Sequence, residues 1–102
     1  MLLVREVFHC KPGKVRALVE KFQAMAKLPQ SGVGKMRLMT DFSGERYWTL
    51  VAEMEVPDMK TFEESMQGAG MDPESMKEME KIMKDYHELI DHGHREIYKI
   101  EG

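Results

Sequence analysis

The feature that most limits the fold of this chain is the order of its strand-like and helix-like segments. Leu2–Cys10 is rich in β-branched and aromatic side chains, which predicts a strand that ends at Lys11-Pro12-Gly13. Pro12 suits the first turn of a helix, where its missing N–H leaves no hydrogen bond unmade. The helix should end near Leu28, because Pro29 disfavours helical backbone before it. Apolar residues recur at helical spacing and predict one buried stripe: Val15, Leu18, Val19, Phe22, Met25 and Ala26.

A loop at Gln30–Gly34 precedes two predicted strands, Lys35–Phe42 and Arg46–Val56, with Ser43-Gly44-Glu45 as a short hairpin turn. Apolar side chains alternate along the second strand, which predicts that one of its faces lies in the core. That apolar face holds Trp48, Leu50, Ala52, Met54 and Val56. The opposite, mixed face holds Tyr47, Thr49, Val51, Glu53 and Glu55, beside Arg37 and Met39 of the first strand.

Proline and glycine divide the second half of the chain. Asp58 predicts the N-cap of a short helix that Gly68-Ala69-Gly70 interrupts. Asp72-Pro73 starts a second helix, whose apolar stripe continues to Ile90 and which Gly93 should stop. His94–Ile100 is the last predicted strand. The resulting βαββαβ order predicts one α+β domain over residues 1–102, a ferredoxin-like four-stranded antiparallel sheet with its helices on one face.

Composition narrows the class of protein. The chain has 102 residues, of which 42% are hydrophobic and 32% charged, as in a soluble globular domain. Its net charge of −3 is spread along the chain, which disfavours a nucleic-acid partner. No apolar run is long enough to span a membrane. Charged residues interrupt the first apolar stretch, whereas the apolar region of a signal peptide is uninterrupted. With Cys10 as the single cysteine, we expect a cytoplasmic protein without an internal disulfide.

Eleven methionines are many for this length. Those at helical spacing are expected to be adaptable core residues: Met25, Met66, Met76, Met79 and Met83. A methionine-rich metal site would need interleaved Cys or His, and the sequence lacks that pattern. We therefore predict no metal and no cofactor.

The second face of the sheet has no helix left to cover it, because right-handed crossovers place both helices on one side. We call this second face the open face. It is too mixed to be a core and too aromatic to be ordinary solvent-exposed surface. Three arrangements are consistent with it: exposure to water, binding of a flat ligand, or contact with the same sheet of a second subunit.

Several segments together resemble one known superfamily. They are Arg5–Phe8 running into Lys11-Pro12-Gly13-Lys14, the hairpin Phe42–Val56, the helix start Val56-Pro57-Asp58 with Phe62, and the closing Arg95-Glu96-Ile97-Tyr98. The whole sequence resembles the dimeric α+β barrel superfamily, and most of all its NIPSNAP-type and antibiotic-biosynthesis-monooxygenase-type branches. The resemblance implies a homodimer whose two sheets form a barrel, with pockets between sheet and helices. Some members are cofactor-free monooxygenases of aromatic polyketides; others bind heme, degrade small phenols or lactones, or have no known activity.

Histidines form one candidate constellation. Antiparallel pairing of the first and last strands should bring His9 near His92 and His94. With Glu6 or Glu96 nearby, such a cluster could hold a divalent metal or transfer protons. The alternative is structural, since His92 would lie at a helix C-terminus, where the dipole favours an imidazolium.

Arg5 and Glu6 are adjacent on a strand that should be central, so they face opposite sides. The even-numbered side is the more apolar, which would bury Glu6 under the helices and place Arg5 and His9 on the open face. The alternative turns Leu3 and Val7 inward and Glu6 outward. A buried charge needs a partner, and either arrangement predicts a polar network with residues such as Arg37, Glu53 or Tyr98.

We therefore expect a homodimeric protein that binds a small hydrophobic or aromatic molecule. As an enzyme it would be a cofactor-independent monooxygenase or a related, isomerase-like small-molecule enzyme. His9 or Glu53 would be the base, and Tyr47 or Tyr98 would orient the substrate in a dry cavity. The predicted ligand contacts are Arg5, Glu6, Arg37, Tyr98 and His94. The alternative is a non-enzymatic dimeric binding or stress-associated module whose open face is only an interface.

Overall fold

Strands and helices follow the predicted βαββαβ order in a computed structural model that describes residues 1–28, 35–44, 47–68 and 71–102. The second helical segment is divided into two α-helices and a short 3₁₀ helix. The elements are β1 (Leu2–Cys10), α1 (Val15–Ala26), β2 (Arg37–Thr40), β3 (Thr49–Val56), α2 (Met59–Met66), α3 (Pro73–Ile82), the 3₁₀ helix (Tyr86–Leu89) and β4 (Ile90–Lys99).

The four strands form one antiparallel sheet in the order β2-β3-β1-β4, which confirms the ferredoxin-like fold. β1 is the central strand, with β3 on one side and β4 on the other. Val4 stands opposite Met54 on β3 and Ile97 on β4, so a single register relates the chain's beginning, middle and end.

The even-numbered side of β1 faces the helices. Of the two facings that the sequence left open, this is the one favoured by the more apolar character of the even-numbered residues. Val4, Leu18, Leu50 and Val56 are fully buried there. The rings of Phe8 on β1 and Phe22 on α1 have centroids 5.4 Å apart. A second cluster joins Phe62 of α2 to Val4 and Val56. Burial of these aliphatic and aromatic side chains provides the main stabilisation of the layer between sheet and helices.

Aspartates begin the second and third helices, as the sequence predicted. The Asp58 carboxylate accepts a hydrogen bond from the Thr61 backbone N–H at 2.7 Å, and the Asp72 carboxylate accepts one from Ser75 at 2.7 Å. These backbone hydrogen bonds favour the ionised form and lower the pKa of both carboxyls. Each cap satisfies an N–H that has no partner within its own helix.

The hairpin differs from its prediction at both ends. β2 ends at Thr40, so Phe42 lies beyond the strand and is fully exposed. β3 begins at Thr49, because Trp48 has a φ of 60° that breaks the extended backbone before it. The prediction that Trp48 lies in the core is wrong: its side chain leaves the period-two alternation and is 41% exposed. The predicted loop at 30–34 and the turn residue Glu45 lie outside the described residues.

The end of the last helix also differs from its prediction. α3 ends at Ile82, and β4 already begins at Ile90, so Gly93 lies inside a strand and does not stop a helix. A Cβ at Gly93 would stand 2.7 Å from the Val7 carbonyl oxygen and 3.3 Å from the Phe8 ring. Pairing with β1 therefore explains this glycine. The apolar stripe that predicted one helix up to Ile90 runs instead through α3, the 3₁₀ helix and the first residue of β4.

We expect Gly93→Ala to destabilise the protein, because its new methyl group would be forced against backbone atoms of β1. Overpacking of this kind costs about 1–3 kcal/mol of unfolding free energy. Urea unfolding followed by circular dichroism measures the loss. Gly102→Ala is the matched control, since nothing lies within 4 Å of a Cβ there. Equal midpoints for the two variants would contradict the close approach at Gly93.

Candidate functional site

A cavity of about 460 Å³ lies between the sheet and the helices. The floor consists of helix-facing side chains of β1 and β3, and the walls come from all three α-helices. Seven methionines line it, together with the aromatic rings of Phe8, Phe22 and Tyr86. These methionines are Met25, Met36, Met54, Met66, Met71, Met79 and Met83.

The methionine prediction is confirmed in part. Met25 and Met83 pack against the buried core, whereas Met66 and Met76 are 59% and 38% exposed. Helical spacing shows which way a side chain points but not whether the space in front of it is filled. Unbranched thioether side chains make an adaptable wall for a ligand of irregular shape.

Two hydrogen bonds from one lysine connect helices α1 and α3 beside this cavity. The Lys21 ammonium on α1 donates hydrogen bonds to the carbonyl oxygens of Ile82 and Lys84, each at 2.9 Å. These carbonyls lie at the end of α3, where they lack partners within the helix. Lys21 therefore fastens the end of α3 to α1, next to Met83 of the cavity wall.

An ion pair lies in the same wall. Glu6 on β1 stands opposite Arg95 on β4, and Arg95 Nε donates to Glu6 Oε1. The Arg95 guanidinium also lies 5.0 Å from the centroid of the Phe62 ring. The structure thus places Glu6 under the helices, apart from Arg5. Sequence reasoning missed Arg95 as a cavity residue, because only the register of β4 reveals which side it faces.

On the open face, four charges alternate in sign across the sheet. Arg37 stands opposite Glu53, Glu53 opposite Arg5, and Arg5 opposite Glu96. We call these four residues the charged row. Arg37 Nη2 lies 3.4 Å from Glu53 Oε1, and Arg5 Nη1 lies 3.2 Å from Glu96 Oε1. Glu53 is only 8% exposed, and Arg5 Nε lies 3.9 Å from its Oε1 atom.

Glu96 gathers further predicted site residues around it. The Tyr98 hydroxyl donates to Glu96 Oε1 at 3.1 Å, and His94 Nε2 lies 2.8 Å from Oε2. Hydrogen bonds from His94 and Tyr98, with the positive charge of Arg5 nearby, lower the pKa of the Glu96 carboxyl. The predicted polar network is therefore present, with Glu96 as its acceptor on β4.

The three histidines meet as antiparallel pairing predicted. The ring centroids of His92 and His94 lie 4.7 and 6.2 Å from that of His9. His92 belongs to β4, so its expected place at a helix C-terminus was wrong. His9 Nδ1 lies 3.2 Å from Thr49 Oγ1. Within the described ranges, no group of three or more His, Cys, Asp or Glu residues is arranged to hold a metal ion.

A more polar depression of about 430 Å³ on the open face is lined by Arg5, His9 and Thr49, among other residues. Tyr47 does not take part, because it precedes the backbone break at Trp48 and is 83% exposed. The predicted site residues thus divide into three places. Six share the open face, namely Arg5, His9, Arg37, Glu53, His94 and Tyr98; Glu6 lies in the cavity wall and Tyr47 outside the sheet.

Comparison with solved structures identifies the same fold in several bacterial proteins. An uncharacterised NIPSNAP domain protein from Burkholderia xenovorans has a TM-score of 0.67 and 15% identity, over 99% of this chain and 95% of that one. A proposed antibiotic biosynthesis monooxygenase from Nitrosomonas europaea has a TM-score of 0.68 and 13% identity, over 97% of each chain. PA3566 from Pseudomonas aeruginosa has a TM-score of 0.71 and 13% identity, over 99% and 94%.

At such low identities these similarities establish the fold alone. No family model matches the chain, and no curated protein does. Among the helices in the described ranges, none combines the length and apolar character needed to cross a bilayer.

We expect Glu96→Gln to reduce stability at neutral pH and to flatten its acid dependence. A carboxyl whose pKa is lowered on folding stabilises the protein above its ordinary value of 4.5, and this contribution is lost as the pH falls through the folded-state pKa. Urea midpoints between pH 7 and pH 3 would show it. Glu63→Gln, an exposed change on α2, is the control; parallel pH profiles for both variants and the unaltered protein would refute the role of Glu96.

Proposed function

We propose that this protein binds a small, largely apolar molecule in the methionine-lined cavity. The observation that carries the proposal is the cavity itself, whose volume of about 460 Å³ lies within the range of roughly 300–1,000 Å³ typical of ligand sites. Methionine and aromatic side chains suit a hydrophobic or aromatic ligand. The Glu6–Arg95 pair supplies polar groups that would orient a hydroxyl or carbonyl of that ligand.

Filling part of the cavity with a larger side chain should weaken this binding. We expect Met79→Trp on α3 to weaken binding of the fluorescent probe anilinonaphthalene sulfonate, whose aromatic rings suit an apolar cavity, by about tenfold or more, since one well-filled contact of about 1.4 kcal/mol corresponds to that factor. Lys77→Trp, which adds the same indole at an exposed position of the same helix, should bind the probe as the unaltered protein does. Fluorescence titration gives both dissociation constants.

Equal probe affinity in the two tryptophan variants would contradict binding in the cavity. Thermal unfolding establishes that each variant is folded. Should Met79→Trp fail to fold, Met66→Trp takes its place, because Met66 lines the same cavity and is 59% exposed.

We further propose that two copies pair through their open faces. No helix of the described chain covers this side of the sheet, yet Val51 and Met39 lie among its charges and are only partly buried. An antiparallel sheet that faces only water normally shows a more uniformly polar surface. Covering this face would remove that apolar area from water and leave both methionine-lined cavities free.

A cofactor-independent oxygenase is the second candidate, favoured by the Glu6 carboxylate in an apolar cavity wall. His9 and Glu53, predicted as bases, line the other side of the sheet, so a substrate in the cavity would meet Glu6 instead. Removal of a proton from an activated CH2 group gives a carbanion that can react with oxygen. The net change converts CH2 and O2 into a carbonyl group and water. The shared fold of the proposed monooxygenase from Nitrosomonas europaea supports this chemistry.

Oxygen uptake with an enolisable aromatic ketone would test the oxygenase. We expect Glu6→Gln to lower turnover by about a hundredfold or more, the usual scale for loss of a general base, while probe binding persists. His9→Gln is the matched variant on the open face and should leave turnover unchanged. The reverse result would move the reaction to the open face, and absence of uptake above the buffer rate would contradict the oxygenase.

A further inference from the structure

The helix α3 borders the methionine-lined cavity but packs loosely against the rest of the domain. Only Ser75 of its residues is buried. By contrast, α1 buries Leu18 and Phe22, and α2 buries Phe62. Met79 on α3 nevertheless lines the cavity. A helix that buries so little of its own surface separates from the domain at a low cost in free energy, so α3 is the wall that opens most easily.

A left-handed backbone position lies on each side of this helix. Gly68 before it has a φ of 83°, and Asp85 after it has a φ of 62°. Single residues of this conformation turn the chain sharply. Beyond Asp85 the chain is held against the end of β1, because the Lys11 backbone N–H donates to the Leu89 carbonyl oxygen at 2.9 Å. The two turns therefore set α3 apart from α2 and from the 3₁₀ helix as a separate unit.

Lys21 fastens this unit to the domain. Its ammonium donates to the carbonyl oxygens of Ile82 and Lys84, each at 2.9 Å, and both acceptors lie at the end of α3. Hydrogen bonds from a charged donor are stronger than those between neutral groups. The donor belongs to α1, whose apolar side is buried in the core. The contact thus joins a loosely packed helix to a firmly packed one.

We propose that α3 is a lid over the cavity and that Lys21 is its latch, the contact that keeps the lid closed. When the two hydrogen bonds break, residues 71–84 move away from α1 about their left-handed ends and open a path for a ligand. Lys21 is not among the residues that line the cavity, so the latch forms whether the cavity is empty or filled. This inference rests on the proposed ligand binding and states how that site is entered.

Such a latch controls the rates of binding more than the affinity. Loss of the same two hydrogen bonds in the empty and the filled protein makes opening easier by the same factor in both. We expect Lys21→Met to raise the association and dissociation rate constants of anilinonaphthalene sulfonate about tenfold each, which corresponds to about 1.4 kcal/mol, while the dissociation constant changes less than about twofold. Stopped-flow fluorescence measures both rate constants.

Two further variants control for charge and for side-chain length. Lys27→Met removes the same charge from the exposed end of α1, and its rate constants should equal those of the unaltered protein. Lys21→Arg keeps several donors at the latch position and should retain the slow rates. Rates raised equally in Lys21→Met and Lys27→Met would overturn the latch, because a general effect of charge would then explain both.

Hydrogen exchange separates a latch from a general role in stability. In Lys21→Met the amides of α3 should exchange about tenfold faster, whereas those of β1 and β3 should exchange as in the unaltered protein, because only the lid opens. An equal acceleration in the strands would overturn the proposal, since Lys21 would then stabilise the whole domain.

The outcome for the unaltered protein separates this inference from ligand binding itself. Failure of that protein to bind the probe would overturn both. Binding with unchanged rate constants in Lys21→Met would overturn the latch alone. So would faster dissociation without faster association, because Lys21 would then hold only the filled state. Circular dichroism establishes folding, and Lys21→Gln replaces Lys21→Met if the latter does not fold.

Discussion

Pairing of β1 with both β3 and β4 is the constraint on which the rest of this structure depends. Because side chains alternate along a strand, one register assigns every residue of β1 to one of two environments. Val4, Glu6 and Phe8 face the helices, whereas Arg5, Val7 and His9 face away. A shift of one residue would exchange the two sets, so the fully buried Val4 and Leu50 hold in place the charges on the other face.

Side chains do not completely fill the space between the sheet and the helices, and the proposed ligand binding depends on the cavity that remains. Aliphatic residues, each time with one phenylalanine, form two buried clusters at its ends, while flexible methionines border the region between them. Lys21 ties the end of α3 to α1 and so holds the helices at this spacing. The only ion pair described in the wall, Glu6 with Arg95, offers a bound molecule a polar contact without opening the cavity to the other face.

The charged row lies on the open face, so the thickness of one sheet separates it from that cavity. The charges on this face form a regular row, since cross-strand neighbours of opposite sign stabilise an antiparallel pair. Ligand binding on one side and pairing on the other would therefore use opposite side chains of the same strands, and a bound molecule could stay in place while two subunits associate.

Much of this fold could be predicted from local patterns. Periodicity, the turn at Pro12 and the caps at Asp58 and Asp72 determined the order of elements, and alternation along β3 from Thr49 onward determined its faces. Local patterns failed at Trp48 and Gly93, where a left-handed backbone and a close strand contact override the apparent period. Only the tertiary structure decided that the methionines border a cavity, that Arg95 joins Glu6, and that four charges form a row. Each of these depends on strand register and on how far apart helices stand, and both are set by contacts between residues distant in the chain.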